Sequence, residues 1–156
     1  MRVIKKYFNE EHQKRSDIAK TYGGLAPIAL DILGSMPNPI GQVCGPLTSG
    51  GKGSIEANLK VFDQTIRKLQ GNGKIIFNQL PFEKTLEKLW TNDARAYEEK
   101  NMDLLENFYA PIFESGKVKT SYFIYDWKNS FGATWEHKKV TSLGLNIEYL
   151  PENFEI

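Results

Sequence analysis

The stretch "SIEANLKVFDQTIRKLQGNG" (54–73), followed directly by "KIIFNQL" (74–80), decides the fold because it predicts a helix that leads into a buried strand. The apolar residues of the first stretch recur at intervals of 4, 3, 4 and 3 and are Ile55, Leu59, Phe62, Ile66 and Leu69. That spacing is typical of an amphipathic helix. Ser54 is the predicted N-cap, and glycine stands just past the helix end.

The same alternation of strand and helix extends to both sides of this stretch. Further strands are predicted at "IGQVCG" (40–45), "KTSYFIYDW" (119–127) and "LNIEYL" (145–150), with a helix at 133–143 and a helical region at 83–114 that is broken near Asn101 or Pro111. Strands that are apolar throughout, joined by helices, predict a parallel sheet covered on both faces. The expected fold class is α/β: a small doubly wound parallel sheet, that is, a flavodoxin-like or Rossmann-like three-layer sandwich.

Residues 1–38 are predicted to be an N-terminal helical extension, and residues 39–156 the α/β domain. The extension contains a polar helical stretch, a Gly-Gly break and the apolar run "LAPIALDILGSM" (25–36). The prolines of "PNP" (37–39) end it, because proline restricts its own backbone and that of the residue before it. The apolar run exceeds what a small sandwich needs, so we expect a homodimer or higher homo-oligomer.

Composition limits the classes of function. The chain has 156 residues, 40% of them hydrophobic, and its 20 basic and 19 acidic side chains give a formal charge of +1. This balance argues against nucleic acid as a partner, and no run approaches the roughly 20 apolar residues of a membrane helix. One cysteine, Cys44, and an N-terminal stretch without an apolar core predict a cytoplasmic protein that does not enter a membrane.

Ligands of open α/β sheets bind beyond the carboxyl ends of the strands. The loop after the first strand, "GPLTSGGKGS" (45–54), places glycines and Lys52 just before a helix. Backbone N–H groups, the helix dipole and a lysine suit one phosphate group. A flexible loop with a serine cap is an equally good interpretation. The spacing fits neither a Walker loop nor a dinucleotide-binding GxGxxG motif.

The late connection, "DWKNSFGATWEHKK" (126–139), carries a second group of polar residues. We expect Glu136 in the first turn of its helix, with Asp126 and Ser130 converging on it over one cleft. A carboxylate there can act as a nucleophile or stabilise a developing cation. Asn78 and Gln79, at the end of the second strand, can contact a ribose hydroxyl or a base edge.

The remaining reactive residue types predict no metal site and no cofactor. His12 and His137 are too few to form a structural zinc site. Cys44 lies inside an apolar strand and is interpreted as a small core residue.

Together, "CGPLTSGG" and "DWKNSFGATWEHKKVTSLGL" resemble the nucleoside 2-deoxyribosyltransferase-like superfamily over roughly residues 40–150. Members typically have "AGP" in the first loop and "S-x-G-x-x-x-E" followed by "LG" in the late one. The resemblance implies that Glu136 is a nucleophile that attacks the anomeric carbon of the sugar and releases the base. Ser130 stands where transferases of free nucleosides have aspartate, which implies a branch similar to nucleoside 5′-monophosphate N-glycosidases, where this serine helps hold phosphate.

The predicted function is therefore cleavage of the N-glycosidic bond of a nucleoside or (deoxy)nucleoside 5′-monophosphate, by hydrolysis or base exchange. Predicted catalytic residues are Glu136 and Asp126. Predicted substrate-binding residues are Gly45, Pro46, Thr48, Ser49, Gly51, Lys52, Asn78, Gln79, Ser130 and Gly132. The serine hydroxyl and Lys52 predict that a 5′-monophosphate binds more tightly than its nucleoside.

Two other interpretations remain open. Gln42 stands where nucleoside transferases have tyrosine, and Lys119–Ser121 where many members have a ribose-binding acid. These departures favour a module that binds a nucleotide without cleaving it. A third interpretation is a structural oligomerisation domain with a vestigial cleft.

Overall fold

The computed structural model describes residues 7–47 and 51–156. The helices are α1 (Glu10–Ile18), α2 (Tyr22–Ser35), α3 (Ile55–Gly71), α4 (Glu83–Thr91), α5 (Tyr97–Leu104), α6 (Ala110–Glu114) and α7 (Phe131–Ser142). A π-helical turn, Leu105–Tyr109, joins α5 to α6, and short 3-10 turns cover Leu80–Phe82 and Trp127–Asn129. The strands are β1 (Ile40–Cys44), β2 (Ile75–Ile76), β3 (Val118–Phe123) and β4 (Asn146–Tyr149).

The four strands form one parallel sheet in the order β2-β1-β3-β4. The chain leaves β1 to one side to form β2 and then crosses back to form β3 on the other side. The predicted doubly wound α/β fold is thereby confirmed. Its topological switch point lies between β1 and β3, which is where ligands of such sheets bind.

The two faces of the sheet carry separate apolar clusters, because successive side chains of a strand point to opposite faces. Val43 and Tyr122 pack with Phe62 and other residues of α3 on one face. Their neighbours Cys44 and Phe123 pack on the other face, against α2, α4, α6 and α7. These layers cover both faces, as predicted.

The apolar run of the N-terminal segment is buried in the chain's own core. Leu25, Ala29 and Leu33 of α2 are at most 1% exposed and share a cluster with Phe113. Most of this run is therefore used within the chain, although Leu30 is exposed, and homo-oligomerisation stays a prediction.

Helix α3 forms as its sequence predicts. Ser54 Oγ accepts a hydrogen bond from the backbone N–H of Ala57 at 3.1 Å, and Phe62, Ile66 and Leu69 are buried. Glu56 in the first turn and Lys68 in the last complement the helix dipole.

Two elements differ from their predicted extent. Strand β2 covers only Ile75–Ile76, because Asn78 Oδ1 accepts a hydrogen bond from the N–H of Leu80 at 3.0 Å and turns the chain. The helical region is broken at residues 92–96 and at neither Asn101 nor Pro111, since the Asp93 carboxylate binds both the backbone N–H and the guanidinium of Arg95.

Candidate functional site

The site lies where β1 and β3 end side by side. The N–H of Ile124 donates a hydrogen bond to the carbonyl of Cys44 at 2.9 Å, which extends the pairing past both strands. A Cβ at Gly45 would approach Ile124 Cδ1 to 2.7 Å, closer than real Cβ contacts. Glycine is therefore required at the first position of the loop, where the two chain segments meet.

Two cavities open at this end of the sheet. The larger, of about 260 Å³, lies between α3, α4, α5, the π-helical turn and the start of α7. The smaller, of about 140 Å³, lies between the loop after β1, the end of β3 and the C-terminal segment 150–155.

The predicted site residues are divided between these cavities. Those that line the larger one are Gly45, Gln79, Ser130, Gly132 and Glu136. Those that line the smaller one are Pro46, Gly51, Lys52 and Asp126. Asn78 lines neither, and Thr48 and Ser49 lie outside the described residues.

The expected convergence of Asp126 with Ser130 and Glu136 is found for only two of the three. Ser130 and Glu136 share the larger cavity, whereas Asp126 lines the smaller one. The 3-10 turn Trp127–Asn129 separates Asp126 from the start of α7. The structure therefore does not place two late-loop carboxylates over one cleft.

Ser130 is the N-cap of α7. Its Oγ accepts a hydrogen bond from the N–H of Ala133 at 3.2 Å, and the helix begins at Phe131. Glu136 accordingly lies in the second turn, and its predicted position in the first turn is wrong. Serine is one of the preferred N-cap residues, so Ser130 itself was the sequence signal for this helix start.

Glu136 is held in an apolar setting. It is 6% exposed, and burial raises the pKa of its carboxyl from an ordinary 4.5 to about 8. A hydrogen bond with the Cys44 thiol acts in the opposite direction and lowers this pKa. At neutral pH the protonated form of Glu136 therefore predominates.

Cys44 lies in the core, as predicted, and also contacts Glu136. Its thiol is fully buried, and burial, followed by the nearby Glu136 carboxylate, raises its pKa well above the usual value. Cys44 is therefore a hydrogen-bond donor to Glu136 and not a thiolate nucleophile.

A second carboxyl group, Glu83, lines the same cavity and was missed by the sequence analysis. Burial, reinforced by the charge of Glu87, raises the pKa of Glu83 to about 7. Its Oε1 is buried and has no hydrogen-bond partner among the described residues. A glutamate at the start of a helix is usually explained by the helix dipole alone, so only its place just after β2 pointed to a site.

Tyr109, in the π-helical turn, lies close to both carboxyl groups. Its hydroxyl has a pKa raised well above the ordinary value, chiefly by burial and then by Glu83, Glu136 and Cys44. The two glutamates thus reach one region of the cavity from different helices, α4 and α7.

Gln79 presents a further polar group to the cavity. It is 1% exposed, and its Nε2 donates a hydrogen bond to the carbonyl of Val43 at 3.2 Å. Its Oε1 has no partner among the described residues. The amide is therefore anchored at one end and offers an acceptor at the other.

Side-chain hydrogen bonds hold the loop that lines the smaller cavity. Asn58 Oδ1 accepts a hydrogen bond from the N–H of Lys52 at 2.9 Å, and Asn58 Nδ2 donates one to the carbonyl of Leu47 at 2.9 Å. Lys68 Nζ donates to the carbonyl of Phe154 at 2.6 Å and fastens the C-terminal segment. Lys52 and Ser130, both predicted to hold phosphate, line different cavities.

The other polar residues considered from the sequence lie apart from the cavities. Gln42 is fully buried on β1 and lines neither cavity. His137 stacks on Trp127 at 4.2 Å, and its Nε2 lies 2.6 Å from Tyr149 Oη. His12 completes the capping box of α1.

Comparisons with protein-family models, curated proteins and solved structures find no match. Within residues 7–47 and 51–156, no three His, Cys, Asp or Glu side chains are grouped to hold a metal ion. No helix in the same ranges is long and apolar enough to cross a membrane.

Proposed function

We propose that this chain cleaves an N-glycosidic bond in the larger cavity, with Glu136 as the nucleophile. The observation that carries the proposal is a buried carboxyl group at the carboxyl end of a doubly wound sheet, with a second carboxyl, Glu83, lining the same cavity. The resemblance of the late loop to the deoxyribosyltransferase-like superfamily supports the same role for Glu136.

The chemistry needs a carboxylate next to the sugar. As the C1′–N bond breaks, its electron pair moves to the base, which takes a proton from Glu83, and the sugar becomes oxocarbenium-like. An ionised Glu136 stabilises this cation and then bonds to C1′ as a glycosyl ester. Although burial favours the protonated acid, the developing positive charge favours the carboxylate.

The second step returns the enzyme to its starting state. Water attacks C1′ and the Glu136 carboxylate leaves, while Glu83 accepts the proton of the water. A pKa of about 7 suits Glu83 to exchange a proton near neutral pH. A second base in place of water gives base exchange by the same route.

The test is incubation of the purified chain with a panel of ribo- and deoxyribonucleosides and their 5′-monophosphates, followed by chromatography for free base. We expect release by the wild type and none by Glu136→Gln, because glutamine keeps the shape but cannot form the ester. Glu99→Gln, the same change at an exposed position of α5, is the matched control. Absence of release from every substrate, or release that survives Glu136→Gln, would overturn the proposal.

The second candidate is a module that binds a nucleoside or nucleotide without cleaving it. It is favoured by the protonation of Glu136 in the empty cavity, since a neutral acid is a poor nucleophile. It predicts thermal stabilisation by ligand, about 2.7 kcal/mol at 100 times the dissociation constant, with no turnover. Free base in the chromatogram decides against it.

The proposal also covers the cellular compartment and the oligomeric state of the chain. The single thiol, Cys44, suits the reducing cytoplasm. We further propose a homodimer or higher homo-oligomer, which light scattering at tens of micromolar tests. A monomer mass at that concentration would contradict this part.

A further inference from the structure

The acidic and basic side chains that line the larger cavity are all acids. Its described lining contains three glutamates, Glu83, Glu87 and Glu136, and no lysine, arginine or histidine. The ion pairs found among the described residues involve none of these three. An anionic group placed here would meet carboxyl groups and no cation from the described lining.

The unsatisfied polar atoms of the cavity are an amide oxygen, which accepts hydrogen bonds, and a carboxyl oxygen, which accepts them when the carboxyl is ionised. Gln79 Oε1 and Glu83 Oε1 are both buried and have no donor among the described residues. A buried acceptor left unpaired is unfavourable, because it has lost its hydrogen bonds to water. A complementary ligand therefore brings hydrogen-bond donors or positive charge, as sugar hydroxyls and a cationic ring do.

The walls of the cavity include two aromatic rings. Trp90 and Tyr97 both line the cavity, with ring centroids 5.6 Å apart and planes at 79°. Lys100 Nζ lies 4.4 Å from the centroid of the Trp90 ring and occupies one of its faces, which leaves the ring of Tyr97 for a ligand. Aromatic rings next to carboxylates attract an organic cation through both ring quadrupole and charge.

We propose that the larger cavity takes an N-glycoside whose aglycone is a positively charged aromatic ring. The glycoside part rests on the proposed function, whereas the cationic part rests on the charges and acceptors of the cavity itself. A 5′-phosphate on the same molecule weakens binding, contrary to the preference predicted from Ser130 and Lys52. Lys52 lines the other cavity, and the Ser130 hydroxyl caps α7.

The reaction of such a substrate balances without an added reagent. When the C1′–N bond breaks, its electron pair neutralises the ring nitrogen, so the leaving group departs as a neutral base and needs no proton. Glu136 Oε bonds to C1′, and water then displaces it to give the free sugar and one proton. The only co-reactant is water.

Binding of a cation also changes the protonation of the cavity. The titratable groups that face it are Glu83 and Glu87 on α4, Tyr97 on α5, Tyr109 in the π-helical turn and Glu136 on α7. Cys44 touches Glu136 from β1. Since Glu83 and Glu136 carry protons near pH 7 when the cavity is empty, a cation beside them favours the carboxylates and releases protons.

The experiment compares two carbocyclic ligands, which cannot form an oxocarbenium ion and are therefore not cleaved. One carries a 3-carbamoylpyridinium ring on a carbocyclic analogue of ribose. The other carries the neutral 1,4-dihydropyridine form of the same ring. Calorimetric titration of the wild type at pH 7 in two buffers of different ionisation enthalpy gives affinity and proton release together. We expect the cation to bind at least about tenfold more tightly, with net proton release, and the 5′-phosphate of the cation to bind more weakly than the cation itself.

Matched variants test which residues cause the preference for the cationic ligand. Glu87→Gln, at an exposed position that lines the cavity, should reduce the preference for the cation severalfold, and Glu83→Gln should do the same. Glu99→Gln should leave it unchanged. Equal affinities, tighter binding of the phosphate, no binding of any ligand, or a preference that survives both cavity variants would each overturn the inference.

The outcome is separable from that of the proposed function. If the pyridinium cation binds but the cleavable ribosyl form releases no pyridine base, the cleavage proposal fails and the cation site stands. If neutral nucleosides are cleaved while the cation does not bind, the cation site fails and the cleavage proposal stands.

Discussion

Ser130 Oγ accepts a hydrogen bond from the backbone N–H of Ala133 at 3.2 Å, and this contact fixes where α7 begins. Because the helix starts at Phe131, Glu136 lies in its second turn and faces the larger cavity. The orientation of the proposed nucleophile thus depends on a cap six residues before it in the chain.

Ser130→Ala should lower the free energy of unfolding by about 1 kcal/mol, the usual effect of losing a helix N-cap. Urea denaturation measures it, with an unchanged dependence on denaturant as the sign that the fold is kept. Ser130→Asn is the control, since asparagine caps equally well. If Ser130→Asn lowers the free energy of unfolding as much as Ser130→Ala does, the loss does not come from the N-cap hydrogen bond.

Ionisation of Glu136 should make the chain less stable as pH rises. Between its ordinary pKa of 4.5 and the folded-state pKa of about 8, the folded state holds a proton that the unfolded state has lost. The free energy of unfolding therefore falls across this window, by an amount on the order of a few kcal/mol. Denaturation curves at a series of pH values measure it.

Glu136→Gln removes this contribution, so its stability should depend less on pH between 4.5 and 8 than that of the wild type. Glu83 contributes with the same sign up to about pH 7 and keeps some slope in the variant. Glu99→Gln should reproduce the wild-type profile. Identical profiles for Glu136→Gln and wild type would mean that Glu136 is not buried as described.

Cys44 should not react with a thiol reagent in the folded protein. Its thiol is fully buried, so a reagent cannot reach it, and burial raises its pKa, so the reactive thiolate does not form. Absorbance of a disulfide reagent at pH 8 should show no modification until denaturant is added, and one thiol per chain thereafter. Rapid modification without denaturant would contradict the placement of Cys44 beneath Glu136.

Gly51 and Gly53 form a matched pair for the loop of the smaller cavity. Both have positive φ, +63° and +87°, so alanine at either position costs about 1–2 kcal/mol of backbone strain. A Cβ at Gly51 would also approach Pro46 Cβ to 2.8 Å and collide with the Asn58 side chain, whereas nothing lies within 4 Å at Gly53. Thermal unfolding should show a larger loss of stability for Gly51→Ala than for Gly53→Ala. Equal losses would contradict the contacts described around Gly51.

The fold was predictable because its information is local and periodic. The spacing of apolar residues in α3 and the capping residue Ser54 identify that helix without tertiary contacts. The break between α4 and α5 was placed too late, because it depends on Asp93 binding Arg95, a contact with no hydrophobic period.

The candidate site was predictable only in part. Glu136 and Ser130 were identified from one loop, and the structure places both in one cavity. Glu83 was not identified, because the residues with which it shares the cavity, Tyr109 and Glu136, are far away in sequence. Asp126 was expected beside Glu136, but a single 3-10 turn, which no residue pattern specified, separates them into two cavities.

The most direct test of the central claim is the mass of the intact protein after rapid acid quenching with a cleavable N-glycoside. If Glu136 is the nucleophile, the wild type gains the mass of one glycosyl residue, located on the peptide that contains Glu136. Glu136→Gln gains none. Release of free base without any glycosylated protein, or a sugar attached to a different residue, would contradict the account.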